Sequence, residues 1–187
     1  SILTTFCFSQ TEEWIYHNSL DGVSRVKPDG SENELLMGNV SISDVSEDGN
    51  KLLLMGNPAP HTDTIYLINL ESMDTLSITY VHEEYGPDQP SPLQPTLTYD
   101  ENVILFLNRE SDGYESYNEL WKYSFIDSSE TVIADWLDRN FGFITLSPDK
   151  REVAVFKNYG DSVDVAIVDI QSGETSILGT FGNLCNV

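Results

Sequence analysis

Four short apolar runs in this chain end on asparagine: EWIYHN at Asn18, KLLLMGN at Asn57, NVILFLN at Asn108 and EVAVFKN at Asn158. The intervals are 57−18=39, 108−57=51 and 158−108=50 residues. A sequence that returns to itself at such a period is an array of one supersecondary unit. A single unit of that size cannot bury its own apolar faces and must stack on its neighbours.

The inside of the unit is legible too. A turn precedes each of the last three runs: VSEDGN at 45–50, LTYDEN at 97–102 and LSPDKR at 146–151, with Asp48, Asp100 and Asp149 in corresponding places. Asp before Gly, or Pro before Asp, pre-sets the backbone angles of a tight turn. The first unit carries FSQTEE at 8–13, a worn version. After each run comes GVSRVKP, TIYLINL, ELWKYSF or DVAIVDI, then a polar turn, then NELLMG, DTLSITY, ETVIADW or ETSILG. β-Branched and aromatic residues dominate, as a pleated, half-buried surface requires. No stretch keeps a helical apolar period over three turns. The best helical candidate, TVIADWLDRNFGF, reads as a fourth strand leading into the next unit.

The expected fold is therefore all-β: a β-propeller of four four-stranded antiparallel blades. Approximate blade bounds are 1–39, 40–92, 93–142 and 143–187, one propeller domain in all. Whether the four close on themselves or form part of a larger ring stays open at this level.

The pattern LSPDKREVAVFKN, then DVAIVDI, then QSGETSIL resembles the blade of TolB-type and dipeptidyl-peptidase-type, WD40-like propellers. The fourth unit matches at Ser147, Pro148, Asp149, Gly173 and Leu178, and the second at Ser46, Asp48, Gly49 and Leu76. The third departs at Tyr99-Asp100-Glu101, and the first keeps only Asp29-Gly30. The resemblance implies a fold and carries over no catalytic residue, because it is a pattern of turns. Propellers of this kind usually have six to eight blades, so four is few.

Cys7 falls in the first strand, and Cys185 falls where a closed chain would return to it. A disulfide between them would lock the fourth blade onto the first, worth on the order of 4–5 kcal/mol from loop entropy. Two buried free thiols are the other reading. Their spacing fits no zinc pattern. The chain opens on Ser1 rather than Met, which implies a removed leader or a piece of a longer protein. With the resemblance and the cysteine pair, this gives an expected periplasmic or extracellular, secreted setting.

Thirty-one acidic residues against nine basic ones give a net charge of −22. That excludes nucleic acid, whose phosphates need Lys and Arg, and disfavours anionic membranes. It favours a basic protein partner or divalent cations, or serves solubility alone. No run of apolar residues is long enough to span a bilayer as a helix.

The chemistry-bearing motifs are few. There is no G-x-S-x-G elbow and no phosphate-binding glycine loop. His17 lies beside the repeated Asn, while His61 and His82 lie near acidic residues of the second unit. The oxygens of DGSENE at 29–34 and ESDGYES at 110–116 cluster without the full spacing of a calcium loop, so calcium is the only cofactor left in view and none is expected. The four asparagines are read as structural, since Asn side chains hydrogen-bond turns. Trp14, Trp121 and Trp136 are expected in the core.

The least blade-like stretch, Tyr80 to Pro95, is the best binding candidate: Tyr80, His82, Glu83, Glu84 and Tyr85, stiffened by prolines, on a rigid scaffold. The reading that follows is a non-enzymatic protein-binding or scaffolding propeller. The alternatives are an accessory propeller of a larger peptidase-like enzyme, and a structural subunit that self-associates through its chain ends.

Overall fold

The computed structural model describes residues 6–8, 14–59, 62–81, 92–111, 116–137, 144–158 and 162–182. All regular structure among them is β-strand. The first sheet runs in the order β1 (Phe6–Phe8), β2 (Ile15–Ser19), β3 (Gly22–Val26), β4 (Glu34–Gly38). The second is β5 (Val40–Val45), β6 (Lys51–Gly56), β7 (Thr62–Asn69), β8 (Thr75–Val81). The third comprises β9 (Pro92–Leu97), β10 (Val103–Ser111), β11 (Ser116–Ser124) and β12 (Glu130–Leu137). The fourth comprises β13 (Thr145–Leu146), β14 (Glu152–Asn158), β15 (Ser162–Asp169) and β16 (Thr175–Gly182). Every pairing is antiparallel, and one pairing between Leu137 and Lys157 makes the third and fourth sheets continuous. The described part of TVIADWLDRNFGF, up to Leu137, lies in strand β12 and is not helical.

The turns explain why the strands stop where they do. Ser46 Oγ donates to Asp48 Oδ1 at 2.7 Å and accepts the Lys51 amide at 2.8 Å, while the Asn50 amide donates to the same carboxylate at 2.9 Å. Ser147 and Asp149 repeat this, with the hydroxyl donating at 2.6 Å and accepting the Glu152 amide at 3.0 Å. Thr98 holds the third sheet's turn by donating to the Asp100 and Val103 carbonyls. The turns from third to fourth strand use Asp29, Asn69, Asp127 and Asp169, each accepting backbone amides two or three residues on. These are Asx turns, in which a short side chain replaces a backbone partner.

The chain divides into two compact units, residues 1–83 and 84–187. In the first, Trp14, Tyr16 and Val23 of the first sheet pack on Val40, Ile42, Leu52, Leu54, Ile68 and Leu70 of the second. In the second, Leu105, Leu107, Leu120, Ala134 and Leu137 of the third sheet pack on Val153, Val155, Ala166, Val168 and Ile170 of the fourth. Alternation along each strand assigns these residues to one face. Each interface thus sets the front of one sheet against the back of the next. Trp14 is further covered by two cations, with Arg25 4.4 Å and Lys27 4.0 Å from its ring centre.

The outermost strand is kinked at one place in three of the sheets. β4 pairs Met37 with Val23 and Leu35 with Ser24, leaving Leu36 as an extra residue. Ile133 in β12 and Leu178 in β16 are extra in the same way. The second sheet runs through this position without a shift. A β-bulge of this kind re-aims a side chain. Leu36 and Ile133 pack against the clusters that join their sheets to the next.

Candidate functional site

Antiparallel order puts the first-to-second and third-to-fourth turns at one end of each sheet. The second-to-third connection leaves from the other end, with the segment that leads to the next sheet. The two ends differ chemically. At the turn end, the Ser31, Ser46 and Ser147 hydroxyls, followed by backbone amides, hold the carboxyls of Asp29, Asp48 and Asp149 below the ordinary aspartate range, and the Ser129 and Ser124 hydroxyls and then the Ser129 amide do so for Asp127. The Ser172 amide and then its hydroxyl do the same for Asp169. A carboxylate that accepts two or three such bonds is already employed by the fold.

The opposite end is where the polar strand ends gather. In the first unit, Asn18 Oδ1 accepts the Ile42 amide at 2.8 Å, across the seam between the first and second sheets. Ile42 is on the innermost strand of its sheet, where outward amides have no ladder partner, so the Asn18 side chain supplies one. Close by, the Asn39 amide donates to the Asp21 carbonyl at 2.9 Å. Gly22 is required there: its φ is +142°, and a Cβ would lie 2.2 Å from the Met37 carbonyl. Asp63 and Thr64 on β7 are buried, Thr64 bonded to Thr79 at 3.0 Å. In the second unit Asn108, Asn118 and Asp164 are 5%, 1% and 7% exposed. Asp164 is opposite Lys157 in register, and its Oδ1 has no hydrogen-bond partner among the described residues. Glu119, opposite Asn108, accepts the Trp121 indole N–H at 3.0 Å.

The four repeated asparagines do not occupy one structural position. Asn18 shares a face of β2 with Tyr16 and lies in the seam. Asn57 follows β6 and is exposed. Asn108 is one residue out of phase with Leu105 and Leu107, on the face of β10 turned away from the fourth sheet. Asn158 ends β14 opposite Val163. The spacing of 50 residues between Asn108 and Asn158 concealed this shift of phase.

The other candidates fall as follows. Tyr80 is half-buried on β8 opposite Asp63. His82, Glu83, Glu84, Tyr85, His61 and Cys185, and with the last the expected cysteine pair, lie outside the described residues. Cys7 is on β1 opposite Tyr16 in register. His17 Nδ1 is 3.3 Å from the Asn18 carbonyl oxygen. Trp14 is buried, Trp121 is half-buried and stacks on Phe106, and Trp136 is on β12. The Asp29 carboxylate of the 29–34 segment is taken by its own turn, and no cluster of three His, Cys, Asp or Glu fit for a metal occurs among the described residues. Sequence reading missed Asp63, Asn118 and Asp164. Their signal was a polar residue opening an apolar third strand, as in TDTIYL, YNELW and VDVAIV.

No family model matches the sequence, and no curated protein matches it. Solved structures do. TolB from Acinetobacter baumannii aligns over 93% of this chain and 42% of its own, at TM-score 0.54 and 18% identity. An oligogalacturonate lyase in complex with manganese aligns over 94% and 52%, at TM-score 0.66 and 10% identity. The β-propeller domain of the Trilobed protease from Pyrococcus furiosus aligns over 95% and 58%, at TM-score 0.56 and 12% identity. The four sheets are β-propeller blades. The chain spans about half the length of these structures, and at such identities the likeness is one of fold. The all-β, TolB-like propeller expected from the turn pattern is the architecture observed. Among the described residues no helix is long and apolar enough to cross a membrane.

Proposed function

We propose that this chain is a non-enzymatic propeller that binds a basic protein partner at the loop end of its blades. The observation that supports this is the division of labour between the two blade ends. At the turn end, the carboxylates of Asp48, Asp149 and Asp169 are bound by their own turns. The segments that leave from the other end carry, by sequence, Glu83, Glu84, Asp88, Asp112, Glu115, Asp138 and Asp161 against one base, Arg139. Acidic groups on a rigid frame steer a cationic partner and select its orientation. An extracellular or periplasmic setting goes with this reading.

The test is fluorescence anisotropy with a lysine-rich peptide as probe. Binding should weaken steeply with added salt and fall on Glu83→Gln/Glu84→Gln, while Glu71→Gln/Glu174→Gln at the turn end should change it less. Equal losses from both pairs would reduce the effect to net charge and refute a site. A second reading is an accessory propeller of a peptidase-like enzyme. It is favoured by a likeness to prolyl endopeptidase structures that covers 95% of this chain but 29% of theirs, at TM-score 0.57 and 17% identity. Hydrolytic or lyase activity in the purified 187-residue chain would overturn the non-enzymatic reading.

A further inference from the structure

The outermost strand of a blade has a ladder partner on one side only, so its other side presents a row of backbone N–H and C=O groups. Among the described residues, three of the four outer strands are protected against further pairing. β4 has five residues, opens on Glu34 and is bulged at Leu36. β12 carries Glu130 and Asp135 and is bulged at Ile133. β16 is bulged at Leu178. A bulge twists the edge away, and an edge charge must be desolvated before a strand can add, so both discourage pairing. β8 has neither. Its seven residues, TLSITYV, pair with β7 without a shift, and none is charged or proline. The turn before β8 sets the direction of its backbone. The Asn69 amide donates to the Asp74 carbonyl at 2.9 Å, which points the Asp74 backbone at β7. Successive residues of an unbulged strand alternate, so Thr75, Ser77, Thr79 and Val81 turn their amides and carbonyls outward. All four are exposed, Val81 at 72%.

We infer that β8 is a docking edge for an extended segment of a partner protein, which adds to the second blade as a fifth strand. Only an extended backbone answers a row of such groups at their own spacing. The side chains of β8 set what that segment carries. Leu76, Ile78 and Tyr80 share one face, with Leu76 47% exposed, while Thr75, Ser77 and Thr79 share the other. Alternate apolar and hydroxyl-bearing or β-branched residues on the incoming strand would meet them as cross-strand neighbours. Charge decides between another protein and a second copy. Glu71 and Asp74, both exposed, stand at the turn that leads into β8. A second copy would bring a net charge of −22 against the same charge, whereas a segment with Lys or Arg at the end beside that turn gains from it. The inference uses the backbone edge of one blade, not the acidic loops, and so stands apart from the loop-end reading.

The probe is a short peptide of alternating threonine and valine with a lysine at each end, added to the full chain. Amide exchange with solvent, read by NMR, reports the contact. The Thr75, Ser77 and Thr79 amides should be slowed by about fivefold or more at saturating peptide. Thr175 turns outward in the corresponding place of β16, after the Asp169 amide bonds the Glu174 carbonyl, and its amide should not change. The same peptide methylated at alternate backbone nitrogens keeps its side chains and charge but loses donors, and should bind about tenfold or more weakly. Ser77→Pro removes one outward donor at an edge position that tolerates proline, and should weaken binding by about 2- to 12-fold, the ratio that one amide hydrogen bond is worth. No slowing along β8, or equal slowing at Thr175, would overturn the inference. So would equal binding of the methylated peptide, because charge alone would then hold it. A dimer formed without peptide and dissociated by Ser77→Pro would also overturn it, since a second copy would then be the occupant.

Discussion

Asn18→Ala is the sharpest test of how the first two blades are joined. The substitution removes the acceptor of the Ile42 amide, a 2.8 Å bond in the seam, and Ile42 itself is buried. Water cannot readily replace the lost carbonyl, so the cost is that of an orphaned buried donor, about 1–3 kcal/mol. If the loss is local, exchange of the Ile42 amide with solvent should speed up by about 5- to 150-fold, the same energies expressed as a ratio. Hydrogen exchange followed by NMR reads that amide directly, and urea unfolding reads the global cost. Asn18→Asp keeps an acceptor in place and should lose less. Asn57→Ala, at an exposed position, should change stability by no more than about 0.5 kcal/mol. The reasoning fails if Asn18→Ala leaves the Ile42 amide protected, or if Asn57→Ala costs as much as Asn18→Ala. The second result would mean that the repeated asparagines act alike after all.

Three further outcomes are expected. Gly56→Ala would place a Cβ 2.2 Å from the Asn39 carbonyl and 2.8 Å from the Val40 Cα, both backbone, so a loss of about 2–3 kcal/mol or more should appear as a lower urea midpoint. Ser128 is exposed and holds φ at +57°, so Ser128→Gly should stabilise by about 0.5–1 kcal/mol, the left-handed strain relieved less the greater freedom of unfolded glycine, measurable by thermal unfolding. Asp48 and Asp149 titrate lower in the folded chain than in the unfolded one, so their stabilising effect is present above the ordinary aspartate pKa and is lost as pH falls through the folded value. The difference in stability between wild type and Asp149→Asn should therefore be full at neutral pH and vanish in acid; a difference that grew in acid would contradict the turn geometry.

Much of the fold could be read from the sequence because its signals are local. Ser46, Asp48, Ser147 and Asp149 form closed hydrogen-bonded turns within six residues, and a turn at each repeat fixes strand order without help from distant contacts. The face a residue occupies is harder to read, because it depends on register across strands. Asn108 matched its fellows in the linear pattern and fell on the other side of its sheet. The bulges at Leu36, Ile133 and Leu178 were equally invisible, since an extra residue in one strand shows only when its partner strand is laid beside it. The candidate site was legible least of all. Asp63, Asn118 and Asp164 are single polar residues in apolar strands, and only their burial marks them out.

Several of the chain's few positive charges are engaged by its own rings and carbonyls. Arg25 and Lys27 are laid over Trp14, Arg151 lies 5.1 Å from the Tyr99 ring, and Lys122 donates to the Ile170 carbonyl at 3.1 Å. Four of the nine basic residues thus have a ring or a carbonyl as partner, Arg151 from an exposed position. At a net charge of −22 the molecule is a polyanion that carries a cloud of counterions, screened over about a Debye length. Ionic strength therefore sets how strongly one such molecule repels another, an effect that reaches about 8 Å at physiological salt and about 30 Å in dilute buffer.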